Sequence, residues 1–247
     1  MGLRRANSRH IHAGVHQKTP PKIQTLHADS KILEQNFKKN YPDLPISAIS
    51  ASPFSGIYEV YVGGKIIYTD EAAKYLFFGN LLDVKNQKNL TEKRITELSK
   101  IDIKQLPLDQ AIKYVKGNGE RIVYIFTDPD CPYCQKLEQH MTSIDNITVY
   151  LFLFPLKKLH PQAETVANKI WCAKNQYEAW EDYMLHRKLT KNSGECKTPI
   201  QKNLDLGQSL QINGTPTLFL QNGSRISGIP QNADHLEKIL QEASLNK

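Results

Sequence analysis

Apolar and polar positions change their pattern about one third of the way along the chain. Residues 31–40 have the spacing of a short helix, while 57–62 (IYEVYV) and 65–69 (KIIYT) are β-branched and aromatic runs around Gly63–Gly64. Two such runs at a Gly-Gly pair predict a tight hairpin, and the apolar run 75–84 predicts a further strand. We therefore expect a small α+β domain over residues 31–88. A core of this size is marginal, and such a domain gains stability by pairing with a second copy through an exposed edge strand.

Residues 89–107 carry many charges between apolar positions near helical spacing, and they predict a linker helix with Thr91 as its N-cap. From residue 108 to residue 247, helix and strand alternate, which is typical of an α/β domain. The predicted helices of this second domain are 108–116, 131–143, 162–189, 201–211 and 233–243. Its predicted strands are the buried runs 121–127 and 147–154, followed by a hairpin of 217–223 and 224–228 that turns at Asn222–Gly223.

Charge is concentrated at the start of the chain. The 247 residues have a net charge of +7, of which residues 1–30 contribute +4. This leader has no basic motif interleaved with aromatic residues, so we expect a solvated tail and no nucleic-acid partner. It also lacks the apolar stretch of a signal peptide, and we interpret it as disordered or as added sequence in place of a native signal. No apolar run approaches the roughly 20 residues that a membrane-spanning helix needs.

The four cysteines limit the kinds of functional site that this chain can form. Cys131 and Cys134 form a C-x-x-C motif, and Cys172 and Cys196 stand apart from it. A zinc site would need four converging thiolates, usually as two close pairs, which this spacing does not supply. The spacing favours one redox-active pair, with Cys172 and Cys196 either bonded to each other or present as buried free thiols. A structural bond between them would persist only in an oxidising compartment. No metal and no organic cofactor is expected.

The segment FTDPDCPYCQKLEQHM places the motif between a buried strand that ends at Thr127 and a helix. Cys131 at the helix start meets free N–H groups and the helix dipole, so its pKa should fall. Pro132 takes the first helical position, where it loses no hydrogen bond, and Cys134 lies one turn further on. We therefore predict Cys131 as the nucleophile and Cys134 as the resolving thiol of a thiol–disulfide exchanger, the alternative being a static disulfide.

A second motif, Gly214–Thr215–Pro216, precedes the predicted hairpin. A proline that opens a strand in a tight turn is a candidate for a cis peptide bond, the alternative being an ordinary trans turn. A cis Pro216 would place the backbone of Thr215 beside the cysteines, where it could pair with an extended client strand. Tyr133 is either an aromatic contact for unfolded chains or a tolerated surface residue.

Other polar residues near the motif are predicted to have structural or surface positions. Asp128 and Asp130 are turn and capping residues, with a proton-shuttle role as the alternative. The histidines of the body, such as His140, His160 and His186, are scattered along the sequence and are predicted to lie at the surface.

Three segments resemble the DsbC/DsbG group of bacterial periplasmic disulfide isomerases: FTDPDCPYCQKLEQHM, GTPTLFLQNG, and IWCAKNQYEAW with its downstream Cys196. The run GIYEVYVGGKIIYTDEAAKYLFFGNLLDVKNQKNLTEKRI is similar to that family's N-terminal dimerisation domain and the start of its linker helix. The resemblance covers about residues 31–245. The residues between the two motif cysteines depart from the DsbC pattern, since DsbC proteins typically carry Gly-Tyr there and Pro-Tyr is the DsbG version.

The resemblance implies a cystatin-like N-terminal dimerisation domain and a thioredoxin-like catalytic domain, joined by a linker helix in a V-shaped homodimer. It implies a cis Pro216 and a structural disulfide between Cys172 and Cys196, which favours the DsbC side of the group. It also implies a periplasmic disulfide isomerase that acts on misoxidised exported proteins and is kept reduced by a DsbD-type membrane reductase. Alternatives on the same scaffold are a reductase of disulfides or sulfenic acids, a dimeric chaperone, and a folding helper for one secretion or conjugation apparatus.

Overall fold

The computed structural model describes residues 24–25 and 29–245, which form two lobes with one five-stranded sheet each. The predicted leader, residues 1–30, lies outside the described residues except for a short strand and the first two residues of a helix. That strand pairs in parallel with the edge of the first sheet, which differs from the prediction of a disordered leader at those positions. The elements of the N-terminal lobe are β1 Gln24–Thr25, α1 Asp29–Asn40, β2 Ile46–Ala51, β3 Ile57–Val62, β4 Lys65–Asp70, β5 Leu76–Phe77, β6 Leu82–Asp83, β7 Lys88–Asn89 and α2 Leu90–Leu98.

Helices cover both faces of the N-terminal sheet, whose strands lie in the order β1-β2-β3-β4-β5. On one face, α1 buries Leu33 and Phe37 against Ile49, Val60 and Ile67. The opposite face packs under α2. The residues of that second contact are Ala48, Tyr61, Ile66 and Tyr68 from the sheet, with Ile95 and Leu98 from the helix. Successive residues such as Val60 and Tyr61 point to opposite faces, which is why these strands are apolar throughout.

Two sequence predictions for this lobe are wrong, and one strand was missed. Strand β2 (ISAISA) was not predicted, because its side chains are small and its strand propensity comes from two isoleucines alone. The run 75–84 is not one strand, since Gly79 with a φ of 153° separates two strands of two residues each. The N-cap of α2 is Asn89, whose side chain accepts the N–H of Glu92 at 3.1 Å. Thr91 lies inside the helix, where its buried hydroxyl accepts the N–H of Leu81 at 2.7 Å.

The C-terminal lobe has its strands in the order β12-β11-β9-β10-β8, and β9 and β10 are parallel. Its strands are β8 Ile112–Lys116, β9 Arg121–Thr127, β10 Ile147–Leu153, β11 Thr217–Leu220 and β12 Arg225–Ser227. Its α-helices are α3 Pro132–Met141, α4 Ala163–Trp171, α5 Gln176–His186, α6 Ile200–Ser209 and α7 Ala233–Leu245, with short 3-10 helices at Ile103–Gln105 and Leu108–Gln110. One face of the sheet holds a core with Val123, Ile125 and Trp180, and the other holds an aromatic cluster with Phe126 and Phe152.

Two predictions for the C-terminal lobe are wrong in element type or number. Residues 108–116 were predicted as a helix, but Ile112 and Tyr114 are buried while Lys113 and Val115 are exposed. This alternation suits the edge strand β8, which pairs with β10. The helix predicted over 162–189 is two helices, because the chain turns at residues 172–175 and Asn175 caps the second one by accepting the N–H of Glu178.

The two lobes contact each other beside the loop that leads to β11. Gln211 donates to the hydroxyl of Ser47 at 2.7 Å, and the Asn213 side chain donates to the carbonyl of Gly63 at 3.0 Å. The N–H of Ile101 donates to the carbonyl of Gly223 at 3.1 Å. These contacts place the hairpin turn between β3 and β4 next to the Gly214–Thr215–Pro216 motif. Within the described ranges, the helices are too short or too polar for any of them to cross a membrane.

Candidate active site

Local chain geometry brings Cys131 to the start of α3. Strand β9 ends at Thr127, and the turn that follows is closed by the N–H of Cys131, which donates to the carbonyl of Asp128 at 3.2 Å. The Asp128 side chain stabilises the same turn by accepting the N–H of Asp130 at 2.8 Å. Cys131 is the N-cap residue of α3, and Pro132 takes the first helical position. The sulfur of Cys131 therefore lies where helix N–H groups have no partner within the helix.

The two cysteines of the motif are free thiols with opposite electrostatic environments. A hydrogen bond from Cys134, together with smaller contributions from Thr215 and from the N–H groups of Cys134 and Tyr133, lowers the pKa of Cys131 to about 5 against the opposing effect of burial. Burial, and the neighbouring Cys131, raise the pKa of Cys134 far above that of an ordinary thiol. At neutral pH the pair is thus a Cys131 thiolate that accepts a hydrogen bond from the Cys134 thiol. Cys131 is 5% exposed and Cys134 is 1% exposed, so both cysteines are buried.

The Thr215–Pro216 peptide bond is cis, as the resemblance implied. The carbonyl oxygen of Thr215 lies 3.4 Å from the sulfur of Cys131. The turn is stabilised by Thr217, whose hydroxyl donates to the carbonyl of Gly214 at 2.8 Å, and by the N–H of Gly228, which donates to the carbonyl of Pro216. The two sequence motifs, 84 residues apart, therefore meet at one sulfur atom.

A cleft of about 530 Å³ opens beside this turn. One wall contains Gly214 and Thr215, and the other contains Tyr61 and the hairpin turn Gly63–Gly64 of the N-terminal lobe. Tyr133 lies on α3 directly after Pro132 and is 63% exposed. An extended chain in the cleft could reach the backbone of Thr215, and the exposed ring of Tyr133 provides an apolar contact at the surface next to Cys131.

His160 was predicted to lie at the surface, but it is half-buried and contacts the active-site turn. Its Nδ1 lies 2.9 Å from Oδ2 of Asp128, which is 0% exposed. Asp128 Oδ2 also accepts the N–H of Leu156 at 2.7 Å. A signal was available, because β9 and β10 are parallel strands and the residues that follow them share the carboxyl edge of the sheet. His140 is half-buried and His186 is exposed.

Helix α5 packs against the same turn from the other side. The hydroxyl of Tyr183 donates to Oδ1 of Asp130 at 2.6 Å, and Arg187 donates to the carbonyl of Pro129 at 3.1 Å. Burial and this bond to Asp130 raise the pKa of Tyr183 to about 12. Asp130 lies in the turn as predicted, and its side chain also accepts a hydrogen bond from Tyr183.

A buried carboxyl lies further along the active-site helix. Glu138 is 5% exposed and accepts a hydrogen bond from Nε1 of Trp180 at 3.0 Å. Burial raises the pKa of Glu138 to about 7, although the bond from Trp180 and the charge of Lys116 oppose that shift. Its partner Trp180 lies on α5, so this hydrogen bond ties the helix that carries the cysteines to the helix behind it.

Cys172 and Cys196 are joined by a disulfide bond. Cys172 is the C-cap residue of α4, and Cys196 lies in the loop before α6, so the bond encloses α5. Because two of the four cysteines are used in this way, the four sulfurs do not converge on a common point. Within the residues that the structure describes, no cluster of histidine, cysteine and acidic side chains could hold a metal ion.

Comparison with known proteins identifies both lobes. Residues 24–92 match the model of the disulfide bond isomerase protein N-terminal domain, and residues 108–244 match that of the thioredoxin-like domain. A probable thiol:disulfide interchange protein DsbC from Bordetella pertussis is 36% identical over 196 residues, which cover 79% of this chain and 69% of that protein. The chain belongs to the DsbC family of thiol:disulfide interchange proteins. The DsbC protein of Escherichia coli is 29% identical over 207 residues, or 81% of this chain and 83% of that protein.

A solved structure supports the same conclusion. The crystal structure of a disulfide interchange protein from Neisseria gonorrhoeae is 38% identical, with a TM-score of 0.54, and the match covers 56% of this chain and 99% of that one. These matches confirm the family and the fold class that the sequence predicted, namely a DsbC-type N-terminal domain followed by a thioredoxin-like domain. The predicted enzyme class, thiol–disulfide exchange, is likewise confirmed.

Proposed function

We propose that this DsbC-family protein is a disulfide isomerase, with Cys131 as its nucleophile. The observation that carries the proposal is the difference between two adjacent thiols. Cys131 has its pKa lowered to about 5, while Cys134 is buried and keeps its proton. An isomerase needs a thiolate that is stable enough to leave a client as well as reactive enough to attack it. Thr215 and the cis Pro216 next to Cys131 support the proposal, since they offer backbone groups to an extended client.

The reaction consists of successive thiol–disulfide exchanges. The Cys131 thiolate attacks one sulfur of a wrong client disulfide, the client S–S bond breaks, and a mixed disulfide forms while the other client sulfur leaves as a thiolate. A free client thiolate then attacks a second client disulfide and frees a different client thiolate. That thiolate attacks the client sulfur of the mixed disulfide, a new client S–S bond forms, and Cys131 departs as a thiolate. The client exchanges one disulfide for another, and no electrons are gained or lost by the enzyme. No metal or organic cofactor takes part in these steps.

Cys134 releases the enzyme from a mixed disulfide that the client does not resolve. Its thiol loses a proton and attacks the Cys131 sulfur, the mixed disulfide breaks, and the client leaves as a thiolate. The client has then gained two electrons, and the enzyme carries a Cys131–Cys134 disulfide. A reductant must restore the dithiol, and we propose that a DsbD-type membrane reductase does so, as is usual in the family. Tyr133 contacts the bound client, and the Cys172–Cys196 bond is structural.

We propose a separate role for each of the two lobes. We propose residues 31–88 as the dimerisation domain and 108–247 as the catalytic domain. Residues 89–107 were predicted as a linker helix, but α2 ends at Leu98 and packs on the N-terminal sheet, so the connection between the lobes is the segment 99–107. We propose a homodimer through the N-terminal domain, because an apolar surface lies beside its terminal strand β5. The exposed apolar side chains of this surface are Phe54, Tyr75, Phe77, Phe78, Leu82 and Val84. The clients are misoxidised exported proteins and the location is the periplasm, where the Cys172–Cys196 bond would persist.

The decisive experiment is the recovery of ribonuclease activity from ribonuclease with scrambled disulfides, in a glutathione buffer. The wild type should restore activity, Cys131→Ala should not, and Cys134→Ala should accumulate mixed disulfides with the client. Reduction of insulin disulfides is measured in parallel. If the wild type reduces insulin but does not rescue scrambled ribonuclease, the isomerase proposal is wrong and the protein is a reductase on the same scaffold.

A further inference from the structure

Asp128 is a carboxylate that is removed from water and held entirely by the protein. It is 0% exposed, and both of its oxygens accept hydrogen bonds. Oδ1 accepts from the N–H of Asp130, while Oδ2 accepts from the N–H of Leu156 and lies 2.9 Å from Nδ1 of His160. A buried charge is costly unless it is paired, and His160 is the side chain that pairs with it here. His160 itself keeps 22% of its side chain exposed, so it can exchange a proton with solvent.

The backbone of Asp128 contacts both sulfur-bearing residues of the motif. Its N–H donates to the sulfur of Cys134 at 3.4 Å, and its carbonyl accepts the N–H of Cys131 at 3.2 Å. The loop that carries His160 is joined to the same strand end, because the N–H of Phe154 donates to the carbonyl of Thr127 at 2.7 Å. Any change in the bond between His160 and Asp128 therefore acts on the turn that positions the dithiol.

We propose that His160 is a positioning residue of the dithiol, which holds Asp128 through an ion pair and places a positive charge on the side of the active-site turn where the Cys131 thiolate forms. This inference rests on the proposed function, since it matters only if the Cys131 thiolate does the chemistry. The role is distinct from that of Cys134, which acts on Cys131 by a direct hydrogen bond. His160 acts through Asp128 and through its charge.

The charges around His160 favour its protonated form. Asp128 and Asp130 face it from the active-site turn, and Cys131 faces it from the start of α3. The hydrogen bond to Asp128 raises the pKa of His160 above its ordinary value, and the Cys131 thiolate adds to this. Behind Asp130 lie Tyr183 and, at 4.0 Å, the guanidinium of Arg187 from the end of α5. On the loop of His160 itself, Lys157 forms an ion pair with Glu164.

The sign of the expected pH dependence follows from these partners. Below the raised pKa of His160, its imidazolium stabilises the Cys131 thiolate and so stabilises reduced enzyme over the disulfide form, which carries no such charge. As the pH rises through that pKa, the charge is lost, although the neutral ring can still donate a hydrogen bond to Asp128. The charge effect of His160 should therefore be present below its raised pKa and be lost as the pH rises through that pKa.

The test compares His160→Gln, which can still donate a hydrogen bond but carries no charge, with the control His186→Gln at an exposed position. Two quantities are measured: the absorbance of the thiolate at 240 nm against pH, and the equilibrium in which reduced enzyme and glutathione disulfide give oxidised enzyme and two glutathione molecules. At pH 6, His160→Gln should be oxidised about three- to fivefold more readily than wild type, which corresponds to a rise of about 0.5 to 1 in the pKa of Cys131 from its value of about 5. The ratio should approach one in alkaline solution, and His186→Gln should match wild type throughout.

A second measurement needs no substitution at His160. The imidazole of His160 is titrated by NMR in reduced wild type and in Cys131→Ala, and linkage requires a higher pKa when the thiolate is present. A difference between His160→Gln and wild type that is the same at every pH would indicate a merely structural role and overturn the inference, as would equal His160 pKa values in the two NMR samples. If wild type fails to rescue scrambled ribonuclease, the proposed function fails, whatever His160 does.

Discussion

Single residues give the two motif thiols different pKa values. Cys131 accepts hydrogen bonds from its surroundings and has its pKa lowered to about 5, whereas burial keeps Cys134 protonated. We predict that iodoacetamide at pH 6 alkylates Cys131 and leaves Cys134 intact. Because the folded pKa is lowered, the thiolate is present above about pH 5 and disappears as the pH falls through that value. Timed alkylation followed by peptide mass spectrometry checks this, and equal modification of both cysteines would contradict it.

Glu138 provides a second prediction at the residue scale. Its carboxyl titrates near 4.5 in an unfolded chain and, because of burial, near 7 in the fold. Since the folded pKa is raised, the stability that its protonated form contributes is complete below pH 4.5 and is lost as the pH rises through 7. We predict that Glu138→Gln, which can still accept the hydrogen bond from Trp180, gains up to about 3 kcal/mol over wild type between pH 4 and pH 8, at about 1.4 kcal/mol per pKa unit.

Urea unfolding at the two pH values measures this difference. Glu71→Gln, at an exposed position of the N-terminal lobe, serves as the matched control and should show no such pH dependence. A Glu138→Gln protein whose stability relative to wild type is the same at pH 4 and pH 8 would show that Glu138 ionises in the fold as it does in the unfolded chain.

At the scale of elements, the sequence predicts best where one physical signal dominates. Strands β9 and β10 are continuous apolar runs flanked by polar turns, and the structure places them close to their predicted bounds. Helix α3 was predicted from the position of Cys131 and Pro132, and it begins where expected. Strand β8 was missed because LDQAIKYVK fits a helix as well as a strand, and only its pairing with β10 decides between them.

In the candidate site, short local motifs could be predicted from the sequence, whereas contacts between residues far apart in the chain could not. The dithiol and the turn before Pro216 are short motifs, so they could be found in the sequence. The pairing of His160 with Asp128 joins residues 32 positions apart and depends on the parallel register of β9 and β10. Burial of Glu138 under Trp180 likewise depends on how α5 packs on α3. Neither contact leaves a pattern in the local sequence.

The disulfide bond gives a prediction at the scale of elements. It joins residues 24 positions apart and closes a loop that contains all of α5, whose Tyr183 and Trp180 contact the active-site turn and helix α3. Replacing Cys172 and Cys196 by serine should lower the free energy of unfolding by about 3–4 kcal/mol, because the unfolded chain is no longer constrained. Urea unfolding of the oxidised proteins measures the loss. A double variant as stable as wild type would contradict this structural role of the bond.

At the scale of the whole molecule, the dimer proposal rests on the end of the N-terminal sheet. Phe77 in strand β5 and Phe78 beside it are both exposed, at 54% and 74%, and they line an apolar groove of about 300 Å³ with Phe54 and Leu81. An exposed edge strand bordered by aromatic side chains is well suited to pairing with a second copy. Charged side chains placed there would have to be buried in the paired state without partners, which is costly.

We therefore predict that Phe77→Glu combined with Phe78→Glu reduces the sedimenting mass from twice the chain mass of 28.2 kDa to the mass of one chain. The matched control is Val115→Glu, an apolar and exposed position on strand β8 of the other lobe, and this variant should remain dimeric.

The pKa of Cys131 should not change in the double variant Phe77→Glu and Phe78→Glu, because the residues that lower it all lie in the C-terminal lobe. Rescue of scrambled ribonuclease should nevertheless fall, since a client would then meet one thioredoxin-like domain instead of two. A double variant that sediments like wild type would place the dimer contact elsewhere, and one that is monomeric with undiminished isomerase activity would show that pairing is not needed for the reaction.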